Sequence, residues 1–266
     1  MSHTTLVVPC YNEAGRLDSS EFKRFARSGM ARLVLVNDGS RDETIAVLND
    51  IRTSAPASVR VVDLTSNHGK AEAVRRGMLE ALNDGAEYAG FWDADLATPF
   101  GELAGFLEEF ARAPRLEVVM GSRVRVLGRT IDRRATRHYA GRVFATAASL
   151  TLRLPVYDTQ CGAKLFRATP RLEQALSEPF LSKWVFDVEL LARLGTVSHG
   201  YSPAILLETV CEYPLLRWRD VAGSKLRAGD FATAGLDLLR IYRRYTRGSR
   251  RDVASALRAG VLDGEP

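Results

Sequence analysis

Two aspartates one residue apart, Asp93 and Asp95, directly follow the short apolar run Tyr88-Ala-Gly-Phe-Trp92. Carboxylates so spaced at a strand end cannot both lie flat along a sheet, so one can reach a divalent cation while the other works beside it or through water. Oxygen donors suit Mg2+ or Mn2+, which keep several waters and bridge substrate phosphates. Lys70, in Ser66-Asn-His-Gly-Lys70, would stand in the first turn of a helix, where a cation calls for a compensating anion such as phosphate. Asp38, within Asn37-Asp-Gly-Ser-Arg-Asp42, is placed to accept a hydrogen bond from a base N–H. Glu13, within Pro9-Cys-Tyr-Asn-Glu13, is placed to meet a ribose hydroxyl. Each segment alone also reads as an ordinary turn or helix cap. Jointly they describe a site for a nucleoside diphosphate.

Such a site needs elements that bring these segments to one edge. Strand-like apolar runs at 5–9, 33–36, 59–62, 88–92 and 118–120 alternate with helical stretches at 19–28, 42–54, 70–84 and 99–112. The pattern predicts an α/β fold with a mostly parallel sheet covered by helices on both faces. Ligands in such sheets bind beyond the carboxyl ends of the strands, where every candidate above is found. The second half predicts helices near 138–152, 183–194 and 225–246 and a strand near 204–212. A catalytic domain is expected over 1–222, followed over 223–266 by a basic helical extension whose end frays.

The 266-residue chain has globular proportions, 46% hydrophobic and 26% charged, which excludes a collagen-like or wholly disordered protein. Cys10, Cys161 and Cys211 are too few and too scattered for a disulfide framework, and His3, His68, His138 and His199 lack the spacing of metal ligands. No zinc is therefore expected. With no basic leader and no apolar window of membrane-spanning length, a cytoplasmic protein is expected. The net charge of +5 is uneven: seven arginines face one acid between Gly121 and Arg142, and six face none between Arg240 and Arg251. These patches point to a localised anionic partner, phosphate or a membrane surface. Nucleic acid is not expected, because no recognition motif accompanies the arginines. A dinucleotide oxidoreductase is not expected, because no GxGxxG follows the first strand.

The ordered series Val8-Pro-Cys-Tyr-Asn-Glu13, Val36-Asn-Asp-Gly-Ser-Arg-Asp42, Asn67-His-Gly-Lys70, Asp93-Ala-Asp95, Gly121-Ser-Arg123, Asp158-Thr-Gln-Cys-Gly-Ala-Lys-Leu-Phe166 and Trp184-Val-Phe-Asp-Val-Glu-Leu-Leu191 resembles the inverting glycosyltransferases of family 2. Over roughly residues 4–225 it is most similar to the polyprenyl-phosphate sugar transferases, the dolichyl-phosphate β-glucosyltransferases in particular. The resemblance implies a GT-A fold. It implies that Pro9, Tyr11, Glu13, Asp38, Lys70 and Asp93 hold the nucleotide and that Asp95, with Asp93, binds Mg2+ or Mn2+. Arg123, Arg134 and Arg137 would meet an acceptor phosphate, and the Asp158 segment would close over the sugar. Mannosyl relatives carry glutamine where this chain has Ala97, which favours the glucosyl branch.

The expected reaction is a metal-dependent, inverting transfer of a hexose, glucose from UDP-glucose, to a polyprenyl phosphate, with Asp95, Lys70, Asp158 and Asp187 as catalytic residues. A hydroxyl acceptor would instead need a carboxylate base, for which Asp158 or Asp187 is the choice. The alternatives are the same donor chemistry on a small soluble acceptor, or a silent nucleotide-sugar-binding protein. Asp187 and Glu189 can also be taken as the wet face of a helix, and Trp184 as a core residue. The Arg240 to Arg247 run interleaves aromatics with cations, as a helix docked peripherally on an anionic leaflet would.

Overall fold

The computed structural model describes residues 3–132, 135–198, 200–221 and 228–247. Seven strands form one sheet: β1 (Thr4–Cys10), β2 (Arg32–Asp38), β3 (Val59–Leu64), β4 (Tyr88–Trp92), β5 (Val118–Ser122), then β7 (Ala163–Arg167) and β10 (Val210–Pro214). Their order is β10-β5-β7-β4-β1-β2-β3, with every pair parallel except those of β7, which runs antiparallel to both β4 and β5. Two short ribbons complete the strands: β6 (Thr130–Asp132) beside β11 (Arg217–Arg219), and β8 (Thr196–Val197) beside β9 (Gly200–Tyr201).

The continuous apolar runs are buried on both faces, as two-sided burial requires. Leu6, Val8, Leu33 and Leu35 pack beneath Phe22 and Phe25 of α1 (Ser19–Ser28), Leu48 and Ile51 of α2 (Thr44–Ser54), and Phe106 and Phe110 of α4 (Leu103–Arg112). On the opposite face Val7, Val34 and Val36 meet Val74 and Met78 of α3 (Lys70–Asn83). That layer continues through α5 (Ala135–Leu152), α6 (Pro170–Leu176), α7 (Phe186–Leu194), α8 (Pro203–Thr209) and α9 (Ala228–Ile241). The mostly parallel, doubly covered sheet expected from the alternation is therefore present, and the five predicted strands and four predicted helices of the first half are found with shifts of a few residues.

The second half departs from expectation. Most of the strand predicted near 204–212 is helix α8, and β10 follows it. Pro203 at the first helical position fixes the φ that starts a helix, and a short apolar run cannot itself distinguish the two periods. Strand β7 was not foreseen, nor was α6. The helix predicted from 183 begins at Phe186, because the Ser182 hydroxyl accepts the N–H groups of Trp184 and Val185 and so makes the preceding turn. The helix predicted over 225–246 is α9 followed by a wider π turn at Tyr242–Thr246. It packs against α5 and α7. Asp237 of α9 accepts from Ser182 at 2.7 Å. Trp184 is partly buried against the core, 6.0 Å from the Phe144 ring. Among the described residues no helix is long and apolar enough to cross a membrane.

Candidate active site

The loops after β1 and β2 are sewn together. The Asn12 and Glu13 amides donate to Ser40 Oγ and Thr44 Oγ1 at 3.0 and 2.8 Å, and the Arg41 amide donates back to Asn12 Oδ1 at 2.8 Å. Asn12 holds a positive φ of 51°, which asparagine tolerates better than most residues. This places Tyr11 and Glu13, both half-buried, beside the carboxyl end of β1.

Asp38 is only 2% exposed. Its carboxylate accepts from the amides of His68 and Gly69, each at 2.8 Å, and from Asn67 Nδ2 at 3.1 Å. The residue expected to meet a base thus spends three acceptor positions holding the loop that leads to Lys70. Gly39 permits the approach: a Cβ there would overlap the Ser66 carbonyl carbon and lie 2.5 Å from the Asn67 nitrogen. Lys70 opens α3, and its Nζ stands 2.6 Å from Asp93 Oδ1. Burial alone would pull the Lys70 pKa down, but the charges of Asp93 and then Asp187 outweigh it and raise the pKa, so the ammonium is held protonated.

Asp95 lies on the turn just beyond. Its Oδ1 accepts the Ala97 amide at 3.0 Å, and its Oδ2 lies 3.8 Å from Arg16, which also reaches Glu13 at 3.7 Å. Leu96 between them is held at φ 48°, a costly conformation for a leucine that fixes the turn's direction. Burial, then the neighbouring Asp93 charge, pushes the Asp95 carboxyl above its ordinary value, with the Ala97 amide offsetting part of the rise. Among the described residues no group of three or more His, Cys, Asp or Glu side chains forms a cage for a metal.

Facing this half is a second cluster built on β5, β7 and β10. Arg123, just past β5, grips Asp158 through Nε and Nη2 at 2.5 and 2.7 Å, and its guanidinium stands 5.4 Å from the Trp218 ring centre. Glu212 of β10 accepts the amides of Tyr157 and Asp158 at 2.8 and 2.7 Å, so it holds the Asp158 loop by its backbone. Asp187 and Glu189 are both buried, which corrects the alternative that placed them on a wet helix face. Asp187 pairs with buried Lys164 at 2.6 Å and approaches Gln160 Nε2 at 3.4 Å. Removing one partner of such a pair typically costs ~3–5 kcal/mol, because the other charge is left buried and alone.

The two clusters meet at Gly162. Its carbonyl accepts the Asp93 amide at 2.9 Å, and a Cβ at Gly162 would overlap the Asp93 carboxylate. Asp38, Lys70, Asp93, Asp95, Glu13, Arg123, Asp158 and Asp187 are thus gathered along one edge of the sheet, with Pro9 and Tyr11 at the end of β1. Arg134 lies outside the described residues, as does the side chain of Arg137, whose backbone is in α5. Sequence reasoning assigned no role to Arg16, Lys164, Gly162 or Glu212. Lys164 and Gly162 lie within the Asp158 to Phe166 motif, whereas Arg16, on a turn, and Glu212 carry no local signal.

The Glycosyl transferase family 2 model matches residues 5–171. Among curated proteins, the dolichyl-phosphate beta-glucosyltransferase of Drosophila melanogaster is 33% identical over 93% of this chain and 76% of its own length. The Homo sapiens protein of that name is 29% identical over 93% and 77%, and the Saccharomyces cerevisiae one 28% over 93% and 76%. Among solved structures, glucosyl-3-phosphoglycerate synthase from Mycobacterium tuberculosis in complex with Mn2+, UDP-glucose and phosphoglyceric acid superimposes with a TM-score of 0.63 over 91% of this chain and 80% of that one, at 18% identity. The complex of that enzyme with Mn2+, UDP and glucosyl-3-phosphoglycerate gives 0.61 over 90% and 78%, at 17% identity. With a GT-A fold and a family match across most of its length, the chain belongs to glycosyl transferase family 2 and is a glycosyltransferase.

Proposed function

We propose that this enzyme transfers glucose from UDP-glucose to the phosphate of a polyprenyl phosphate, inverting the anomeric carbon, with Mg2+ or Mn2+ held by Asp95 and Asp93. The observation that carries the acceptor assignment is the engagement of both candidate bases. A hydroxyl acceptor needs a carboxylate ready to take its proton. Asp158 already accepts from Arg123 with both oxygens, and Asp187 is paired with buried Lys164. A phosphate monoester arrives anionic and requires no such base, so cations that position it matter more. The names of the three curated relatives above, each a dolichyl-phosphate beta-glucosyltransferase, support the same sugar and acceptor class.

The residues at the end of β4 fit a hard divalent cation. They offer carboxylate oxygens, and the raised Asp95 carboxyl reflects burial and a like charge that such a cation would relieve. The ion, when bound, neutralises charge developing on the leaving diphosphate. The chain's own residues supply the rest. Lys70, held protonated at the start of α3, offers a second positive charge beside Asp93. Asp38 fixes the 67–70 loop and thereby the nucleotide's cradle, which Pro9, Tyr11 and Glu13 border. Arg123, aimed by Asp158 on one edge of its planar fork, keeps its other edge for an acceptor phosphate.

The polyprenyl acceptor implies work at a membrane surface on its cytoplasmic side, and the exposed cations of the Arg240 to Arg247 run support peripheral attachment there. Incubating purified protein with radiolabelled UDP-glucose and a polyprenyl phosphate should yield a β-linked glucosyl phospholipid, and EDTA should suppress it. Glucosylation of a small hydroxylated compound with polyprenyl phosphate left untouched would replace the proposal with a soluble-acceptor enzyme.

A further inference from the structure

The loop after β5 exposes apolar side chains where water gives them no partner. Leu127 at its tip is 102% exposed and Val126 47%. Leu216, on the turn between β10 and β11, is 46% exposed, and its carbonyl accepts the Thr130 amide at 2.9 Å, so the two turns lie side by side. These aliphatic groups are set among arginines: Arg125, Arg129, Arg217 and Arg219 against two acids, Asp132 and Asp220, on the segments 124–132 and 215–220.

The arrangement is braced from below. The Arg129 amide closes a turn on the Val126 carbonyl at 3.2 Å, with Gly128 at φ 82°. Buried Glu102 accepts the amides of Leu216 and Arg217 at 2.9 and 3.0 Å, and the Arg129 side chain hydrogen bonds to Tyr213. A fixed aliphatic tip ringed by cations has the chemistry of a membrane-interface anchor: the apolar groups enter the acyl boundary while the guanidinium groups stay with anionic headgroups. The same loop starts at Arg123.

We infer that Val126, Leu127 and Leu216 with their flanking arginines form a docking face for an anionic bilayer leaflet, seating the acceptor side of the site on the membrane. Its purpose rests on the polyprenyl-phosphate assignment, whereas the docking itself does not. The test compares wild type with Val126→Ser/Leu127→Ser by cosedimentation with vesicles of phosphatidylcholine and phosphatidylglycerol. Wild type should bind and should release as salt is raised. Withdrawing two aliphatic anchors should weaken binding roughly tenfold or more. Turnover on farnesyl phosphate, a short prenyl phosphate used without vesicles, should be unchanged, which separates lost docking from lost folding.

A wild-type protein that ignores the vesicles, or a variant that binds them as tightly as wild type, overturns the inference. If the variant loses vesicle binding with its unfolding midpoint at the wild-type value while wild type leaves every prenyl phosphate unglucosylated, the docking face stands and the proposed acceptor falls.

Discussion

Replacing Gly162 by alanine adds one methyl group at the seam of the site. An ideal Cβ there overlaps Asp93 Oδ2 and lies 2.8 Å from Oδ1, whereas ordinary carbon–oxygen contacts begin near ~3.3 Å. The Gly162 carbonyl and the Asp93 amide are hydrogen bonded at 2.9 Å, so the two backbones cannot easily separate. The carboxylate must therefore swing away by about 1 Å or more, breaking its 2.6 Å pairing with Lys70. Overpacking of this kind costs ~1–3 kcal/mol of stability. Misplacement of a catalytic group by about 1 Å costs on the order of 100-fold in turnover.

Gly162→Ala should accordingly fold, with a Tm lowered by roughly 2–10 °C, and lose about two orders of magnitude in UDP-glucose turnover. Gly101→Ala, where an added Cβ meets nothing within 4 Å, is the matched control and should behave as wild type. In an Asp93→Ala background the same methyl should cost under ~0.5 kcal/mol, because the oxygens it strikes are gone. Measured by urea unfolding and radiolabelled transfer, a Gly162→Ala enzyme with wild-type turnover would refute the placement of Asp93 against β7.

Asp95→Ala should abolish transfer and the dependence of UDP binding on Mg2+ or Mn2+ while leaving the unfolding midpoint near wild type; calorimetry with and without EDTA checks this, and full turnover in EDTA would sink the metal assignment. Asp38→Ala should do more than weaken nucleotide binding, because it strips a shared acceptor from three donors of the 67–69 segment, and a stability loss of ~1–3 kcal/mol is expected alongside a raised KM in urea titration and steady-state kinetics. Glu72, drawn down to about 2 from its ordinary 4.5 chiefly by the Arg75 hydrogen bond, contributes stability that is complete above about pH 4.5 and is lost as pH falls toward 2. Glu72→Gln should flatten the acid limb of the unfolding free energy by about 1 kcal/mol after allowance for solvent screening, with little effect at neutral pH beyond that loss.

The parallel half of the sheet was legible because its strands are continuous, largely apolar runs ended by polar residues and, from β1 to β4, each followed by a helix. The candidate residues after β1, β2 and β4 needed nothing more than that topology to converge. The misreadings share a different cause. Ala163-Lys-Leu-Phe-Arg167 is too short and too mixed to stand out, and it enters the sheet antiparallel, without the crossover helix that flags its neighbours. Lys164 looks like a surface residue in sequence, because nothing local reveals that Asp187, 23 positions later, lies 2.6 Å from its ammonium. Asp38 ends β2, and no spacing rule reveals that its carboxylate also accepts from a loop thirty residues away.

Direction is what makes β7 matter to the site. Because it runs opposite to β4 and β5, its beginning, not its end, lies at the edge where those strands finish. The segment entering it, from Asp158 to Gly162, is thereby delivered to the same edge as Asp93 and Arg123. A parallel strand in that position would have carried Asp158 to the far edge and brought only Arg167 to the near one. Held there, the segment joins the two clusters: Gly162 fixes the Asp93 backbone, Asp158 grips Arg123, and Lys164 pairs with Asp187, whose charge helps keep Lys70 protonated. The residues from β1 to β4 proposed for the donor and Arg123 after β5, proposed for the acceptor, are consequently not independent groups around a cleft. One reversed strand couples them, so displacement of the Asp158 segment shifts Lys70 and Asp93, proposed to face the diphosphate, together with Arg123, the cation proposed for the acceptor.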